Sequence, residues 1–230
     1  MEFISRQSAD TPYLLVASYD EPHSPSVCPP PFCDMYEEFR LPLPDNHYDD
    51  LADKPEHHLE WAKQFDFEPE GLHQPLYFGA STFVDDEIGR VVAAADRFDR
   101  ENTIVIFTTD HGHYLGAHHL REKGPCPYEE VTRVPLILRG NGIVSGERSD
   151  SLISHVDLMP TLLSLAGLDA PPILEGVDQS ELLGRPELSR RESVLTEFHR
   201  FSITHDSWFG FIPIRTVTTD RYKLTVNALS

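Results

Sequence analysis

The chain has 230 residues, of which 40% are hydrophobic and 25% are charged. These proportions indicate a globular protein with a buried core and argue against a disordered chain. The 38 acidic and 19 basic residues give a formal net charge of −19 at pH 7. Because such a charge repels phosphate backbones and anionic lipid headgroups, nucleic acids and membrane surfaces are not expected as partners.

The sequence has neither a membrane span nor a leader of the usual pattern. No apolar run approaches the ~18 to 20 residues that cross a bilayer, and Met1–Asp10 lacks the basic and apolar regions of a signal peptide. The compartment therefore stays open, with the cytoplasm as the default. Cys28 and Cys33 could pair, but with Cys126 they form no disulfide framework, so free thiols are expected.

The N-terminal part combines one apolar run with a long polar segment. Tyr13–Tyr19 predicts a buried strand whose carboxyl end carries Asp20–Pro25. Residues 25–58 contain so many prolines that neither a continuous helix nor a central strand fits them. A loop of this length is either functional or a mobile insertion, and both alternatives stay open.

Four regular elements are predicted in the middle of the chain. Apolar positions recur at helical spacing over Pro75–Phe98, which predicts a long amphipathic helix. Thr103–Thr109 and Arg133–Leu138 are short apolar runs typical of buried strands. A helix over Val156–Ala166 is predicted to end at Gly167, which supplies a left-handed cap.

This alternation of strands and helices predicts the α/β class, with a mainly parallel sheet covered by helices on both faces. Residues 170–192 are rich in proline, glycine and charge and are expected at the surface. Val217–Val226 alternates like a strand of a smaller antiparallel sheet. The predicted division is an α/β domain over residues 1–200 and the start of a C-terminal subdomain over residues 201–230.

The segment Thr103–Gly124 carries the strongest functional signal. Its predicted strand stops at Asp110-His111-Gly112, and ligands collect where the strands of α/β sheets end. A carboxylate and an imidazole beside a glycine can bind one divalent cation. The same residues also fit a helix-capping aspartate next to a solvated histidine, and the pattern alone leaves both interpretations open.

Further motifs lie within this segment and on both sides of it. They are Tyr19-Asp20-Glu21-Pro22-His23-Ser24-Pro25, Leu115-Gly116, His118, Leu120, Lys123-Gly124-Pro125, Tyr128-Glu129-Glu130, Arg133-Val134-Pro135-Leu136-Ile137, His155-Val156-Asp157-Leu158-Met159-Pro160-Thr161-Leu162-Leu163, Arg215-Thr216-Val217 and Thr219-Asp220-Arg221-Tyr222-Lys223. Together with Asp110-His111-Gly112 they closely resemble the sulfatase family of the alkaline phosphatase superfamily. The resemblance covers nearly the whole chain. It implies an alkaline-phosphatase-like fold, here incomplete, and hydrolysis of a small anionic sulfate ester.

The resemblance also implies roles for individual residues. Asp110 and His111 correspond to metal ligands of the family. Lys123 corresponds to a lysine that contacts anionic oxygens, and His23 to a histidine beside the leaving group. His118 occupies a recurrent family position and is expected to contact the substrate. Calcium is the expected cation; however, His111 stands where many members carry asparagine, and its imidazole leaves manganese, magnesium or zinc as alternatives.

Several histidines and acidic residues of this region are open to other interpretations. The histidines at 111, 113, 118 and 119 could in principle form a separate zinc site, but such a cluster needs its own geometry and supporting hydrogen bonds. Tyr128–Glu130 are expected to orient the loop, with Arg133 paired to one of the two glutamates. Asp157 is interpreted as a charge at a helix N-terminus rather than as a ligand.

The nucleophile of the family is not found in this sequence. Members carry a strand that ends in paired aspartates, followed by Cys-x-Pro-x-Arg or Ser-x-Pro-x-Arg, and the cysteine becomes the formylglycine nucleophile. Cys28 has a proline at the right offset, but Phe32 stands in place of the arginine, and neither Cys33 nor Cys126 begins such a motif. The chain is therefore expected to be an internal portion of a larger enzyme and inactive by itself.

Two alternatives to a sulfuric ester hydrolase are kept. The first is a phosphonate monoester or phosphodiester hydrolase of the same superfamily, because the Asp110–His111 pair and Lys123 would serve phosphoryl groups equally well. The second is a non-catalytic truncated fragment, in which part of the sheet is missing and strand edges are left unpaired.

Overall fold

A computed structural model of the protein describes residues 2–8, 10–199 and 212–227. Its α-helices are α1 (Glu2–Ser5), α2 (Glu56–Ala62), α3 (Pro75–Asp99), α4 (Glu129–Thr132) and α5 (Leu158–Leu165). Its strands are β1 (Val105–Thr108), β2 (Leu136–Arg139), β3 (Val194–Phe198), β4 (Ile214–Thr218) and β5 (Lys223–Asn227). None of the described helices is long and apolar enough to cross a membrane. The predicted domain boundary after residue 200 lies outside the described residues.

The longest element is α3, which confirms the helix predicted over Pro75–Phe98. Proline stands in its first turn, where the missing N–H costs no helical hydrogen bond. Gly79 lies so close to the 25–58 segment that a Cβ would stand 2.4 Å from the carbonyl oxygen of Phe32. Near the other end, Arg139 of β2 donates to Asp96, with 2.9 Å between Nη1 and Oδ2. The helix therefore connects the proline-rich segment to the strand pair.

Strands β1 and β2 pair antiparallel, with Val105 opposite Arg139 and Thr108 opposite Leu136. The predicted parallel pairing is therefore wrong for the described strands, all of which pair antiparallel. The reason lies in the connection between them. Residues 109–135 form a loop with one single-turn α-helix and return the chain at the end where it left, whereas a parallel strand needs a crossover connection.

The buried strand predicted over Tyr13–Tyr19 is also wrong, because this segment contains no strand and is largely exposed. The side chains of Leu14 and Val16 are 73% and 77% exposed. None of the described strands pairs with the segment. Its apolar composition favours an extended conformation, but burial also requires neighbouring strands, and the described residues supply none.

Near the C-terminus, β3, β4 and β5 form an antiparallel sheet in that order. This confirms the predicted antiparallel sheet, but the strand expected over Val217–Val226 is the end of β4, a turn and β5. The turn closes where the amide of Thr219 donates to the carbonyl of Tyr222, with 2.7 Å between N and O. Strand β3 has no counterpart among the predicted elements. Residues 170–192 are mostly surface, although Gln179 and Leu182 are buried.

A 3-10 turn over His155–Asp157 leads into α5 and carries a capping box, and α5 ends with a Schellman motif. The backbone amide of Ser154 donates to the Asp157 carboxylate at 2.9 Å, and the Ser154 hydroxyl accepts from the backbone amide of Asp157. At the other end Gly167 has φ of +70°, and the amide of Leu168 donates to the carbonyl of Leu163 at 2.9 Å. The predicted cap at Gly167 and the helix-start position of Asp157 are both confirmed.

The main apolar cluster joins α2 to the loop of residues 109–135. Its buried members are Leu51, Trp61, Ala62, Tyr114, Leu120 and Cys126, and the partly buried Phe65, Tyr128 and Val131 pack against them. The loop is therefore packed into the interior at both ends, rather than lying free on the surface.

The carboxylate of Asp157 is fully buried and connects three parts of the chain. It accepts hydrogen bonds from the Arg191 Nε and from the Val177 amide, each at 2.7 Å. Burial alone would raise the pKa of Asp157, but the bonds from Arg191 and from backbone amides outweigh it and hold the pKa below its usual value. The ionised carboxylate therefore stabilises the fold.

Replacing Asp157 with alanine is expected to lower the free energy of unfolding by about 3 to 5 kcal/mol, because it leaves the Arg191 guanidinium, whose side chain is only 18% exposed, without its partner. Urea unfolding measures the change, and the exposed Asp150→Ala serves as the control. A carboxylate with a lowered pKa stabilises above its unfolded pKa of about 3.9 and loses that contribution as the pH falls. The difference between wild type and Asp157→Ala should therefore shrink below about pH 4; a difference that grows there would contradict this account.

Candidate active site

Asp110 and His111 follow β1 directly and turn their side chains toward each other. The His111 Nε2 lies 3.6 Å from the Asp110 Oδ2. The His111 Nδ1 lies 2.8 Å from the carbonyl oxygen of Gly112, which can only accept, so Nδ1 carries the proton and Nε2 presents a lone pair. Two electron-rich atoms at this separation are suited to sharing one cation.

The Asp110 carboxylate is open to solvent, with its side chain 84% exposed. Its Oδ1 accepts the backbone N–H of His111 at 2.9 Å, which fixes the carboxylate orientation. Partial burial would raise the pKa of Asp110, but the positive charge of a protonated His111 ring and this N–H outweigh it and lower the pKa. A carboxylate and an imidazole form a donor set that fits a divalent cation. The helix-capping interpretation of Asp110 is wrong, because no described helix begins directly after it. Ligation by Asp110 and His111 stays a prediction.

Gly112 holds the Asp110–His111 pair against α4. Its amide donates to the carbonyl of Val131 at 2.9 Å. A Cβ at this position would stand only 1.9 Å from the carbonyl oxygen of Glu130, so no other residue fits without moving one of the two backbones. The position of the Asp110–His111 pair is therefore set by contact between two main chains.

Lys123 lies half-buried on the same loop and forms no ion pair with any acidic side chain of the described residues. The pKa of the half-buried His113 ring is lowered to about 4 by burial and, to a lesser degree, by the positive charges of a protonated His111 and of Lys123. His113 is therefore neutral and accepts the Leu115 amide at Nδ1, 3.0 Å away. The His113 ring therefore adds no positive charge beside Lys123.

His118 is held by protein groups on both ring nitrogens. Its Nδ1 lies 2.9 Å from the Asp49 Oδ2, and its Nε2 lies 3.2 Å from the Asn46 Nδ2. The same Asn46 amide donates to Glu130 Oε1 at 2.7 Å, and the His118 ring stacks on Tyr128 with centroids 3.7 Å apart. The proline-rich segment thus contributes directly to the site. The sequence does not indicate Asn46 or Asp49, since both lie in the segment without periodicity.

His23 is exposed and does not join the other predicted residues. Its Nδ1 lies 2.9 Å from the carbonyl oxygen of Ser24. Within the described residues, no hydrogen bond or ion pair connects its ring to Asp110, His111 or Lys123. Asp110, His111 and Lys123 therefore lie on one loop, whereas His23 lies apart from them. The role of His23 stays a prediction.

The expected pairing of Arg133 with a neighbouring glutamate is wrong. Glu129 instead pairs with Lys223 of β5, with 2.5 Å between Nζ and Oε1. The same ammonium donates to the carbonyl of Pro127 at 2.9 Å and to the Thr132 hydroxyl at 3.1 Å. A lysine of the C-terminal sheet therefore anchors α4, and a residue so distant in sequence could not be identified from local pattern.

The alternative zinc cluster of neighbouring histidines does not form. His113 packs its ring on Tyr77, with centroids 5.0 Å apart, while the His119 Nε2 lies 3.0 Å from the carbonyl oxygen of Phe65. Among the described residues, the group of three with metal-ligand spacing contains none of the histidines at 111, 113, 118 and 119. Each of these rings has a separate environment.

The fold and the family match define a member of the alkaline phosphatase superfamily. A family model described as sulfatase matches residues 1–168, and one described as the C-terminal part of N-sulphoglucosamine sulphohydrolase matches residues 116–228. The chain belongs to the sulfatase family. It is 46% identical over 224 residues to an uncharacterized sulfatase, YidJ, of Escherichia coli (strain K12); the match covers 95% of this chain and 43% of that protein.

Solved structures confirm the alkaline-phosphatase-like fold. The protein yidJ of Bacteroides fragilis matches with a TM-score of 0.73 and 26% identity, over 99% of this chain and 47% of that one. A structure solved with its substrate D-glucosamine-2-N,6-O-disulfate matches with a TM-score of 0.58 and 26% identity, over 66% and 31%. The phosphonate monoester hydrolase of Agrobacterium radiobacter, at 21% identity and a TM-score of 0.69 over 99% and 52%, shows the shared fold. The chain spans less than half the length of its sulfatase relatives.

Replacing Gly112 with alanine is expected to destabilise the fold by about 1 to 3 kcal/mol, because the new methyl group collides with the backbone of Glu130. Gly89→Ala is the matched control, since a Cβ at Gly89 on α3 meets nothing within 4 Å. That helical substitution should instead stabilise by roughly 0.5 to 1 kcal/mol. Thermal unfolding followed by circular dichroism compares the two variants, and equal effects would contradict the proposed contact.

Proposed function

We propose that this chain forms the metal-binding and anion-binding part of a sulfatase that hydrolyses sulfuric esters. The observation that carries the proposal is the lone pair of His111 Nε2 facing the Asp110 carboxylate at 3.6 Å, in a chain of the sulfatase family. Sulfate ester hydrolysis requires a cation to neutralise anionic oxygens and donors to stabilise the developing charge. The nucleophile of the family, a formylglycine, has no matching motif in this sequence.

Asp110 and His111 are the residues that would hold the divalent cation, with calcium as the first candidate and manganese, magnesium or zinc as alternatives. The cation would polarise the ester oxygens when bound. Calcium takes six to eight oxygen ligands, so water or further protein oxygens would complete the coordination. The imidazole in the pair favours a softer ion than an all-oxygen site does.

The protein carries a net charge of −19, so an anionic ester needs local positive charge at the site. We assign that charge to Lys123, because no acidic side chain of the described residues neutralises it. The neutral His113 ring beside it does not compete for the anion. We propose that His118 contacts the substrate and that Asp49 and Asn46 orient its ring. His23 is proposed to contact the leaving group.

The substrate is proposed to be a small sulfate ester, such as a sulfated sugar, since one structural relative was solved with a sulfated glucosamine. A phosphonate monoester or phosphodiester is the second candidate, because phosphonate monoester hydrolases share the fold. A fragment without catalysis is the remaining alternative. Since nucleophile, cation and donors act as one unit, we expect no turnover from the isolated chain.

The first test measures calcium and manganese binding to the purified chain by calorimetry. Asp110→Asn removes the anionic ligand and is expected to weaken binding by more than about tenfold, since changes to supporting groups alone cost that much. Asp150→Asn, which removes an exposed carboxylate elsewhere, should bind like wild type. Equal binding by the two variants would argue against ligation by Asp110.

The second test uses the gene product read in its full frame and assays 4-nitrophenyl sulfate against 4-nitrophenyl phosphate. Lys123→Ala is expected to lower kcat/KM for the sulfate ester by about 10² to 10³, the usual cost of removing one donor to a developing anion. Lys63→Ala is the control, because Lys63 follows α2 and forms a solvent-exposed ion pair with Glu60. A higher kcat/KM for the phosphate would favour the second candidate, and metal-dependent turnover by the isolated chain would overturn the expected division of the site.

A further inference from the structure

A second group of potential ligands lies apart from the Asp110–His111 pair. His57, His58 and Cys126 each present one ligand atom, and these atoms all lie within 4.8 Å of one another. His57 and His58 belong to α2, whereas Cys126 lies in the loop between Lys123 and α4. The three residues therefore bridge two parts of the chain that also meet in the main apolar cluster.

His58 provides independent evidence for a ligand at this place. The residue is 5% exposed, and its Nε2 is buried without a hydrogen-bond partner. Its Nδ1 lies 2.8 Å from the Tyr128 hydroxyl. When Nδ1–H donates to that hydroxyl, Nε2 carries a buried lone pair that a hydrogen-bond donor or a metal ion would satisfy. Buried ring nitrogens are rarely left unpaired in native proteins.

His57 is oriented in the way that metal-bound histidines are. Its Nε2 lies 3.2 Å from the carbonyl oxygen of Pro125, which can only accept, so Nε2 carries the proton and Nδ1 carries the lone pair. Donation of the second ring N–H to a backbone carbonyl is the usual support for a metal ligand. His57 is also only half-buried, which leaves a path from solvent to the group.

Cys126 is 1% exposed, and the Tyr114 hydroxyl holds its backbone by donating to its carbonyl at 2.6 Å. Burial raises the pKa of its thiol to about 12 and lowers the pKa of His58 to about 4. The group is therefore neutral at pH 7. A cation that binds would displace the thiol proton to solvent and leave a thiolate with two imidazoles.

We propose that His57, His58 and Cys126 form a second metal site that binds Zn²⁺. One sulfur and two nitrogen donors suit zinc, whereas calcium requires oxygen ligands, so the two sites of the chain differ in metal preference. Three protein ligands leave the fourth tetrahedral position to water. Because Cys126 lies three residues after Lys123, zinc at this site fastens the anion-binding loop to α2. The assignment does not depend on the proposed sulfatase activity.

The experiment uses Co²⁺ as a spectroscopic substitute for zinc in the purified, reduced chain. A thiolate-to-cobalt charge-transfer band is expected at one equivalent, and zinc should abolish it by displacement. Cys126→Ser should remove the band, while Cys33→Ser, which changes a thiol outside the group, should keep it. Asp110→Asn should also keep the band, which separates this site from the first.

Circular dichroism shows whether each variant folds. If Cys126→Ser does not fold, His57→Asn at the half-buried position takes its place and is expected to weaken zinc binding at least tenfold, the lower range for a lost supporting group. Zinc content is measured by mass spectrometry under native conditions, with one bound zinc expected. A folded wild-type chain without a cobalt band, or a band that survives Cys126→Ser, would overturn the proposal.

Discussion

The candidate site depends on the close approach of two main chains, at Gly112 and at Glu130–Val131. The contact is direct, since even a methyl group would fall 1.9 Å from a carbonyl oxygen. It brings the end of β1 against α4 and so places the Asp110–His111 pair near the residues that surround His118. A position set by backbone contact is stiff, because neither chain can relax by changing a side-chain rotamer. The side chains of the pair are then free to serve a cation.

The parts of the fold that the sequence predicts well are those with local causes. The 3.6-residue period of α3 and the glycine after α5 act within a few neighbouring residues, and both appear as expected. Strand pairing depends instead on distant partners. Tyr13–Tyr19 and β1 have equally apolar sequences, yet only β1 has a described partner strand. Composition alone therefore could not distinguish them.

The same division holds for the site. Asp110 and His111 are adjacent in sequence, and Lys123 lies on the same loop, so the family motifs predict them as a unit. Asn46, Asp49 and the group formed by His57, His58 and Cys126 come together only through tertiary packing. Their contacts span the proline-rich segment, α2 and the loop, and no spacing along the chain reveals such a meeting.

The anchor at Lys223 gives the C-terminal sheet a part in the geometry of the site. Side chains of a strand alternate between its two faces, so a slip of one residue between β4 and β5 would turn this lysine away from α4. The carbonyl of Pro127, the hydroxyl of Thr132 and the carboxylate of Glu129 would then lose a shared cation. The position of the Asp110–His111 pair therefore also depends on the register of β4 and β5. Helix α4 connects the two, because it contacts Gly112 on one side and Lys223 on the other.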